Sequence, residues 1–380
     1  MARRFPLFAT CARGTEEMLG DELESLGCAR VRGDRGGVRF SANLDEALRA
    51  CLWTRIAMRV LFPLGDFEAH GAEGLYEAAA QVPWEEHLTT ASTFAVEATV
   101  RQGEPGHTAF IALKIKDALV DRLRKKIGTR PDVNKRDPDV RVVAHVAGEQ
   151  LTLALDLCGE PLHRRGYRVA PTTAPLKETL AAAILRAVRY TGDEPLVDPM
   201  CGSGTLVIEA GLIAENRAPG LGRDFSVERW PHLGEQARAI LTELKADARR
   251  QHHKARSPIV GFDKSDEAVD AARRNVRAAK LDGAVKVAPG DATDELPLPK
   301  GPGLLVTNPP YGDRLRAGGQ KGMKTFYFQL GESLGRIEGW RLAILSGNPA
   351  FESAFHRKPS RARKLWNGPI ECTLLEYPPR

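Results

Sequence analysis

The chain has 380 residues, 42% hydrophobic and 27% charged, and carries a formal charge of +6. At ~100–200 residues per domain this length suits two or three domains, and the composition excludes disorder, collagen or a coiled coil as the whole molecule. No stretch approaches the ~20 apolar residues of a membrane helix, and the run 5–9 behind Arg3 and Arg4 is too short for an export signal, so a cytoplasmic location is expected.

In chain order, residues 5–9 read as a strand, 15–26 as an amphipathic helix and 38–40 as a second strand after Gly36-Gly37. Ser41 or Asn43 can cap a helix running to about Arg55, and 58–64 is strand-like. This βαββα-type order indicates a small α+β layer. A second unit follows, with strand 93–100, helix 108–126, and strands 140–146 and 150–157 joined by a Gly148-Glu149 turn. The end of that helix and the loop beyond it hold Arg122, Arg124, Lys125, Lys126, Arg130, Lys135 and Arg136, with Asp132 the only acid between residues 122 and 136. Phosphate binding uses such clusters, since each cation that meets a phosphate releases a condensed counterion. A solvated helix face with its loop would carry the same charge. Residues 163–175, with Arg164, Arg165, Arg168 and two prolines, read as a linker.

From residue 174 the pattern becomes a regular alternation. Helix 176–190, strand 195–197, helices 205–216 and 234–251, strand 259–262 and helix 266–280 are followed by strands 285–288 and 304–307, helix 325–336 and strand 341–345. Strands separated by helices pair in parallel as a doubly wound sheet. The end departs from this, because 363–366 and 370–376 flank Asn367-Gly368, the residues of a tight antiparallel hairpin. A mostly parallel sheet closed by a hairpin argues for a methyltransferase-like rather than a dehydrogenase-like α/β fold. Six cysteines (Cys11, Cys28, Cys51, Cys158, Cys201, Cys372) form no C-x-x-C pair and the histidines complete no zinc pattern, so reduced thiols and no metal site are expected. The segment 218–257, with Trp230, His252 and His253, carries no functional signal of its own.

Between strand and helix lies Asp198-Pro199-Met200-Cys201-Gly202-Ser203-Gly204-Thr205. Gly202 and Gly204 would let the backbone approach a ligand that a Cβ would block, in the crevice where doubly wound sheets bind ligands. Neither the phosphate-binding G-x-x-x-x-G-K-[ST] nor a full G-x-G-x-x-G is present. Asp198 would repel a pyrophosphate but suit the ammonium of S-adenosylmethionine. Asp263 ends the next strand, where a carboxylate can take ribose hydroxyls, and Asp291 follows the third, placed to accept from an adenine amine. A post-strand Asp is more often a helix or turn cap, yet three at successive strand ends form a joint pattern. After the fourth strand come Asn308, Pro309, Pro310 and Tyr311. Two prolines remove two backbone donors and leave carbonyls unpaired. The Asn308 amide and the Pro309 carbonyl could then accept both hydrogens of one exocyclic amine, freeing its lone pair and stabilising the charge that develops on transfer. Tyr311 offers a stacking face.

These stretches together resemble the THUMP-containing class I methyltransferases, most closely the RlmL-type 23S rRNA guanine-N2 methyltransferases. The resemblance is carried by residues 198–210 (DPMCGSGTLVIEA), 308–315 (NPPYGDRL), 162–168 (LHRRGYR) and 175–178 (PLKE). NPPY alone is shared with DNA-adenine and protein-glutamine methyltransferases; its combination with a THUMP-like unit is more specific. The resemblance covers nearly the whole chain. It implies a ferredoxin-like domain over 1–65, a THUMP-like RNA-binding domain over 66–160, a linker over 161–175 and a class I methyltransferase domain with a seven-stranded sheet over 176–380. It further implies S-adenosyl-L-methionine as donor and S-adenosyl-L-homocysteine as product. Asp198, Gly202, Ser203, Gly204 and Thr205 would line the methionine end, Asp263 the ribose, and Asp291 with Ala292 the adenine. Asn308, Pro309, Pro310 and Tyr311 would hold the guanine, with Asn308 also facing the donor. Asp313 stands where the family has Glu, and the second methyltransferase domain of long relatives is not in this sequence, so a short form is expected. The expected substrate is a guanine of 23S rRNA or of a large-subunit assembly intermediate. A THUMP-type tRNA guanine-N2 methyltransferase and a non-catalytic RNA-binding assembly factor remain open.

Overall fold

The computed structural model describes residues 3–101, 106–170, 176–311 and 319–380. Their contacts divide the chain into two compact units, one of Met1–Thr10, Gly20–Leu162 and Gly222–Ala246, the other of Cys11–Leu19, His163–Leu221 and Asp247–Arg380. None of the described helices is long and apolar enough to cross a membrane.

The first part of the chain runs β1 (Phe5–Thr10), α1 (Glu16–Ser25), β2 (Ala29–Asp34), β3 (Gly37–Ala42), α2 (Leu44–Trp53), β4 (Arg59–Glu68), α3 (Gly71–Gln81), β5 (Thr93–Val100), α4 (Thr108–Ile127), β6 (Asp132–Val133), β7 (Val140–Ala147) and β8 (Gln150–Asp156). Asn43 caps α2: its Oδ1 accepts from Glu46 N, and its own N–H donates to the Glu46 carboxylate, both at 2.9 Å. The helix stops short of the expected Arg55 because buried Glu22 takes the next donors, the Thr54 hydroxyl at 2.6 Å and Arg55 N at 3.0 Å. β2 and α3 were not expected. β2 is an edge strand with Arg32 and Asp34 outward, so it lacks apolar alternation, and its pairing with β3 shifts register between Ala29 and Arg32.

The strands lie in the order β2-β3-β1-β4-β8-β7-β5-β6, antiparallel except where β5 meets β7 and β6. The division expected at residue 65 falls inside β4. Its start pairs with β1, while Leu61–Glu68 pairs with β8, so one sheet runs through both portions. The expected Gly148-Glu149 turn joins β7 and β8, with Gly148 at φ 61°.

The second part contains α5 (Glu178–Ala187), β9 (Leu196–Asp198), α6 (Thr205–Ala214), α7 (Gly234–Arg250), β10 (Ile259–Asp263), α8 (Asp266–Ala278), β11 (Val285–Pro289), β12 (Gly303–Thr307), α9 (Gly319–Leu334), β13 (Trp340–Ser346), α10 (Phe351–Phe355), β14 (Arg361–Asn367) and β15 (Ile370–Tyr377). Their sheet order is β11-β10-β9-β12-β13-β15-β14, parallel through β13 and antiparallel at β15 and β14. All five residues of β12 are buried, as a strand covered on both faces requires. The order reverses direction between β9 and β12, which opens a crevice at their carboxyl ends. Residues 163–170, read as linker, instead pack within this unit: Tyr167 and Ala170 are buried, and the Tyr167 hydroxyl donates to Glu209 at 2.9 Å.

Gly303 sets how closely β12 approaches its neighbours. A Cβ there would lie 2.6 Å from the Pro195 carbonyl oxygen and 2.7 Å from the Trp340 ring. Gly303→Ala is expected to destabilise the sheet by about 1–3 kcal/mol, measured by denaturant unfolding; an unshifted midpoint would contradict this packing.

Candidate active site

Four strand ends converge on one cleft of about 750 Å³ within the second unit. β9 supplies Asp198, the turn to α6 supplies Gly202, Ser203 and Thr205, β10 supplies Asp263, the loop after β11 supplies Asp291 and Ala292, and the loop after β12 supplies Asn308 and Pro310. Gly202 has φ 54°, and a Cβ added to it would meet nothing within 4 Å, so its open side faces free volume. Gly204 does not border the cleft. Its φ of 86° needs glycine, and a Cβ would press on Ala272 of α8 at 3.2 Å; helix packing, not ligand approach, explains this position.

The acids are tied into the turn itself. Asp263 accepts from Gly202 N at 2.9 Å and Ser265 N at 3.0 Å, and so holds β10 to the glycine turn. Asp291 accepts from the N–H and hydroxyl of Thr293 at 3.0 and 2.8 Å; burial raises its pKa, but these two bonds outweigh it and the carboxyl lies below its usual range. Asp198 is 1% exposed and accepts from the Thr307 hydroxyl at 2.8 Å and Met200 N at 3.1 Å. Burial pushes its carboxyl up to about 7 against these two bonds, and nearby Asp263 adds to the rise.

At the other wall, Asn308 Oδ1 is buried and has no hydrogen-bond partner among the described residues. The Pro310 carbonyl accepts from the fully buried Tyr327 hydroxyl at 3.0 Å, which fixes the di-proline turn on α9. Pro309 is buried, and its carbonyl has no donor among the described residues. Tyr311 does not border the cleft. Its hydroxyl accepts from Asn367 Nδ2 at 2.6 Å, and its ring lies so close to Gly347 that a Cβ there would come within 2.7 Å of it. The expected contact at Asp313, with Gly312, Arg314 and Leu315, lies outside the described residues, as does Pro175.

In the first unit the basic cluster divides. Arg122 is committed to structure: Nε and Nη2 both donate to the Glu85 carboxylate at 2.8 Å, and Nη1 donates to the Ala80 carbonyl at 2.9 Å. That pairing holds Glu85 down at about 2. Arg124, Lys125, Lys126, Arg130, Lys135 and Arg136 are exposed. Gly128, left-handed at φ 79°, closes α4, and Asn134 Oδ1 accepts from Arg136 N at 3.1 Å, so the loop carrying Lys135 and Arg136 is a built turn.

Comparison with known families agrees with this geometry. Residues 165–376 match the RMKL-like, methyltransferase domain family, residues 6–61 the RlmL ferredoxin-like domain and residues 69–156 the THUMP domain. The chain belongs to the RMKL-like methyltransferase family. The Ribosomal RNA large subunit methyltransferase K/L of Syntrophotalea carbinolica is 43% identical over 97% of this chain, which covers 53% of that relative. The chain thus spans about half the length of the curated relatives it matches. SMU.472, designated a methyltransferase and crystallised in complex with SAH, superposes with a TM-score of 0.88 at 32% identity over 100% of this chain and 99% of its own. A Listeria monocytogenes protein designated an N6-adenine-specific DNA methylase gives 0.84 at 29% identity over 100% and 97%.

The RMKL-like domain also uses residues that sequence reasoning missed. Phe326 of α9 borders the cleft and Tyr327 braces Pro310, yet in sequence both read as the apolar face of a helix. Arg168, placed in a linker by its neighbours, lies behind the glycine turn and donates to Ser203 and Thr205. Trp230 belongs to a segment, Gly222–Ala246, that is grouped with the first unit. His252 pairs with Glu215 at 3.2 Å.

The raised pKa of Asp198 makes stability depend on pH in a defined direction. The folded chain prefers this group protonated, so its contribution is full below an unfolded pKa near 4 and is lost as pH rises through about 7. Asp198→Asn, which can still accept from Thr307 and Met200, is expected to come nearest the wild type at about pH 4 and to exceed it increasingly in thermal stability up to pH 8. A gap that does not widen over that range would contradict the burial of a titrating carboxyl here.

Proposed function

We propose that this chain is an S-adenosylmethionine-dependent RNA methyltransferase that acts on the exocyclic N2 of a guanine, in 23S rRNA. The observation that carries the reading is the buried Oδ1 of Asn308 at the wall of the cleft, which has no partner among the described residues. Leaving such an acceptor unmet costs roughly 1–3 kcal/mol, which an amine donor would recover. The Pro309 carbonyl, buried just behind the cleft lining with no donor among the described residues, would be the second acceptor for one NH2 group. Drawing on both hydrogens localises the lone pair on nitrogen and stabilises the positive charge that forms there. A guanine amine loses its proton only after transfer, so the site needs position and acceptors more than a strong base.

The residues present fit the donor. S-adenosylmethionine supplies, when bound, an electrophilic methyl on a sulfonium sulfur. Asp198 gives its ammonium a buried carboxylate, the open face of Gly202 admits its chain, and Asp263 keeps lone pairs for ribose hydroxyls beyond its two backbone bonds. Asp291 and Ala292, which border the cleft, would take the adenine. The name of the curated relatives supports rRNA as substrate, and the THUMP domain with its exposed cations supports an RNA stem gripped through phosphates. The target base would enter the cleft flipped from its stack. Tyr311, which lies against Gly347 and is held by Asn367 outside the cleft lining, has no part in this reading.

Asn308→Ala is expected to lower kcat by about 10²–10³ while leaving adenosylhomocysteine binding nearly unchanged, measured by methyl transfer into rRNA from cells lacking the gene. Unchanged turnover would refute the assignment. Replacing Lys125, Lys126 and Arg130 by Gln is expected to weaken RNA binding uniformly across sequences and to flatten the log affinity–log salt slope by up to about 3. An unaltered slope would remove this surface from the RNA contact.

A further inference from the structure

The strap of residues 163–170 is bonded to the glycine turn in two ways. Arg168 donates from Nη1 to Ser203 Oγ at 3.1 Å, from Nη2 to Thr205 Oγ1 at 3.2 Å and to the Leu176 carbonyl at 2.9 Å, and from Nε to Glu178 at 2.9 Å. Asn275 of α8, 1% exposed, holds the neighbouring backbone: Oδ1 accepts from Val169 N and Ala170 N at 3.0 and 2.9 Å, and Nδ2 donates to the carbonyls of Ala170 and Ser203 at 2.9 Å. The guanidinium is therefore held in one place against two hydroxyls.

A hydroxyl can donate once and accept twice, whereas a guanidinium only donates. Where Arg168 occupies the acceptor side of both oxygens, each hydroxyl is left to act as a donor. Ser203 and Thr205 are each 4% exposed and both border the cleft, and neither O–H has an acceptor among the described residues. α6 starts at Thr205 with no side chain capping its first N–H groups. Several donors with no acceptor thus meet at one end of the turn, while the buried Asp198 carboxylate sits at the other. An amino acid zwitterion has the complementary pattern, its carboxylate seeking donors and its ammonium an acid.

We infer that Arg168 is a positioning residue that sets the Ser203 and Thr205 hydroxyls to donate to the α-carboxylate of the donor's methionine end. The inference rests on the reading under Proposed function and deepens it by giving the amino acid moiety a direction along the turn. Arg168 touches no ligand itself; it acts through the two hydroxyls. A staple that only stabilised the strap would instead affect every ligand of the cleft alike.

The test compares two ligands that differ in the amino acid end. Calorimetric binding of S-adenosylhomocysteine and of 5′-methylthioadenosine, which lacks the carboxylate and ammonium, is measured for the full chain and for Arg168→Met. Affinity for adenosylhomocysteine is expected to fall about tenfold to a hundredfold, with methylthioadenosine within about twofold. The Ser203→Ala/Thr205→Val double variant, which keeps the guanidinium, is expected to show the same selective loss, and it decides the matter should Arg168→Met fail to fold. Equal losses for both ligands, or unchanged adenosylhomocysteine binding, would overturn the inference while leaving the methyltransferase reading intact. A wild-type chain that binds neither ligand would overturn both.

Discussion

A hydrogen-bond acceptor shut away from water with no donor to meet it is costly, and no described residue donates to the buried Asn308 Oδ1 at the end of β12. Its surroundings keep it there. Tyr327 takes the Pro310 carbonyl, and Thr307, one residue before Asn308, is tied through its hydroxyl to Asp198 on β9. The di-proline turn and the glycine turn are thereby fixed to each other across the switch point of the sheet. A chain carrying an unmet acceptor within a rigid frame holds polar capacity in reserve for something that enters the cleft.

The same economy of bonds runs through the rest of the site. Asp263 spends lone pairs on Gly202 and Ser265, which fixes the turn, and retains others. Asp198 is kept near neutrality by burial, so a cation in the cleft would be met by a group whose ionisation it promotes. Arg168 and Asn275 work from behind, where neither borders the free volume. Preorganisation of this kind places donors and acceptors before any ligand arrives.

Much of this was legible in the sequence where function rests on turn chemistry at strand ends. Asp198 and Asp263 end their strands, Asn308 and Asp291 lie one and two residues beyond theirs, and the alternation of strands and helices places strand ends together. What was not legible depends on partners distant in the chain. Arg122 reads as a phosphate ligand by its neighbours, yet Glu85, 37 residues earlier, occupies it. Arg168 reads as linker because Ser203 and Thr205 reach it only through the fold, 35 and 37 residues away. Gly204 reads as ligand-facing because a glycine in a turn does not reveal which neighbour excludes its Cβ, here Ala272. β2 escaped notice because an exposed edge strand has no apolar alternation to show.

The most direct measurement follows the methyl group to its atom. The purified chain is incubated with S-adenosylmethionine bearing a deuterated methyl and rRNA from a strain lacking the gene, and the digested nucleosides are resolved by mass spectrometry. Deuterated N2-methylguanosine is the expected product. A label on the N6 amine of adenosine, on a ring nitrogen, or on no nucleoside at all would contradict the pairing of Asn308 with a guanine amine.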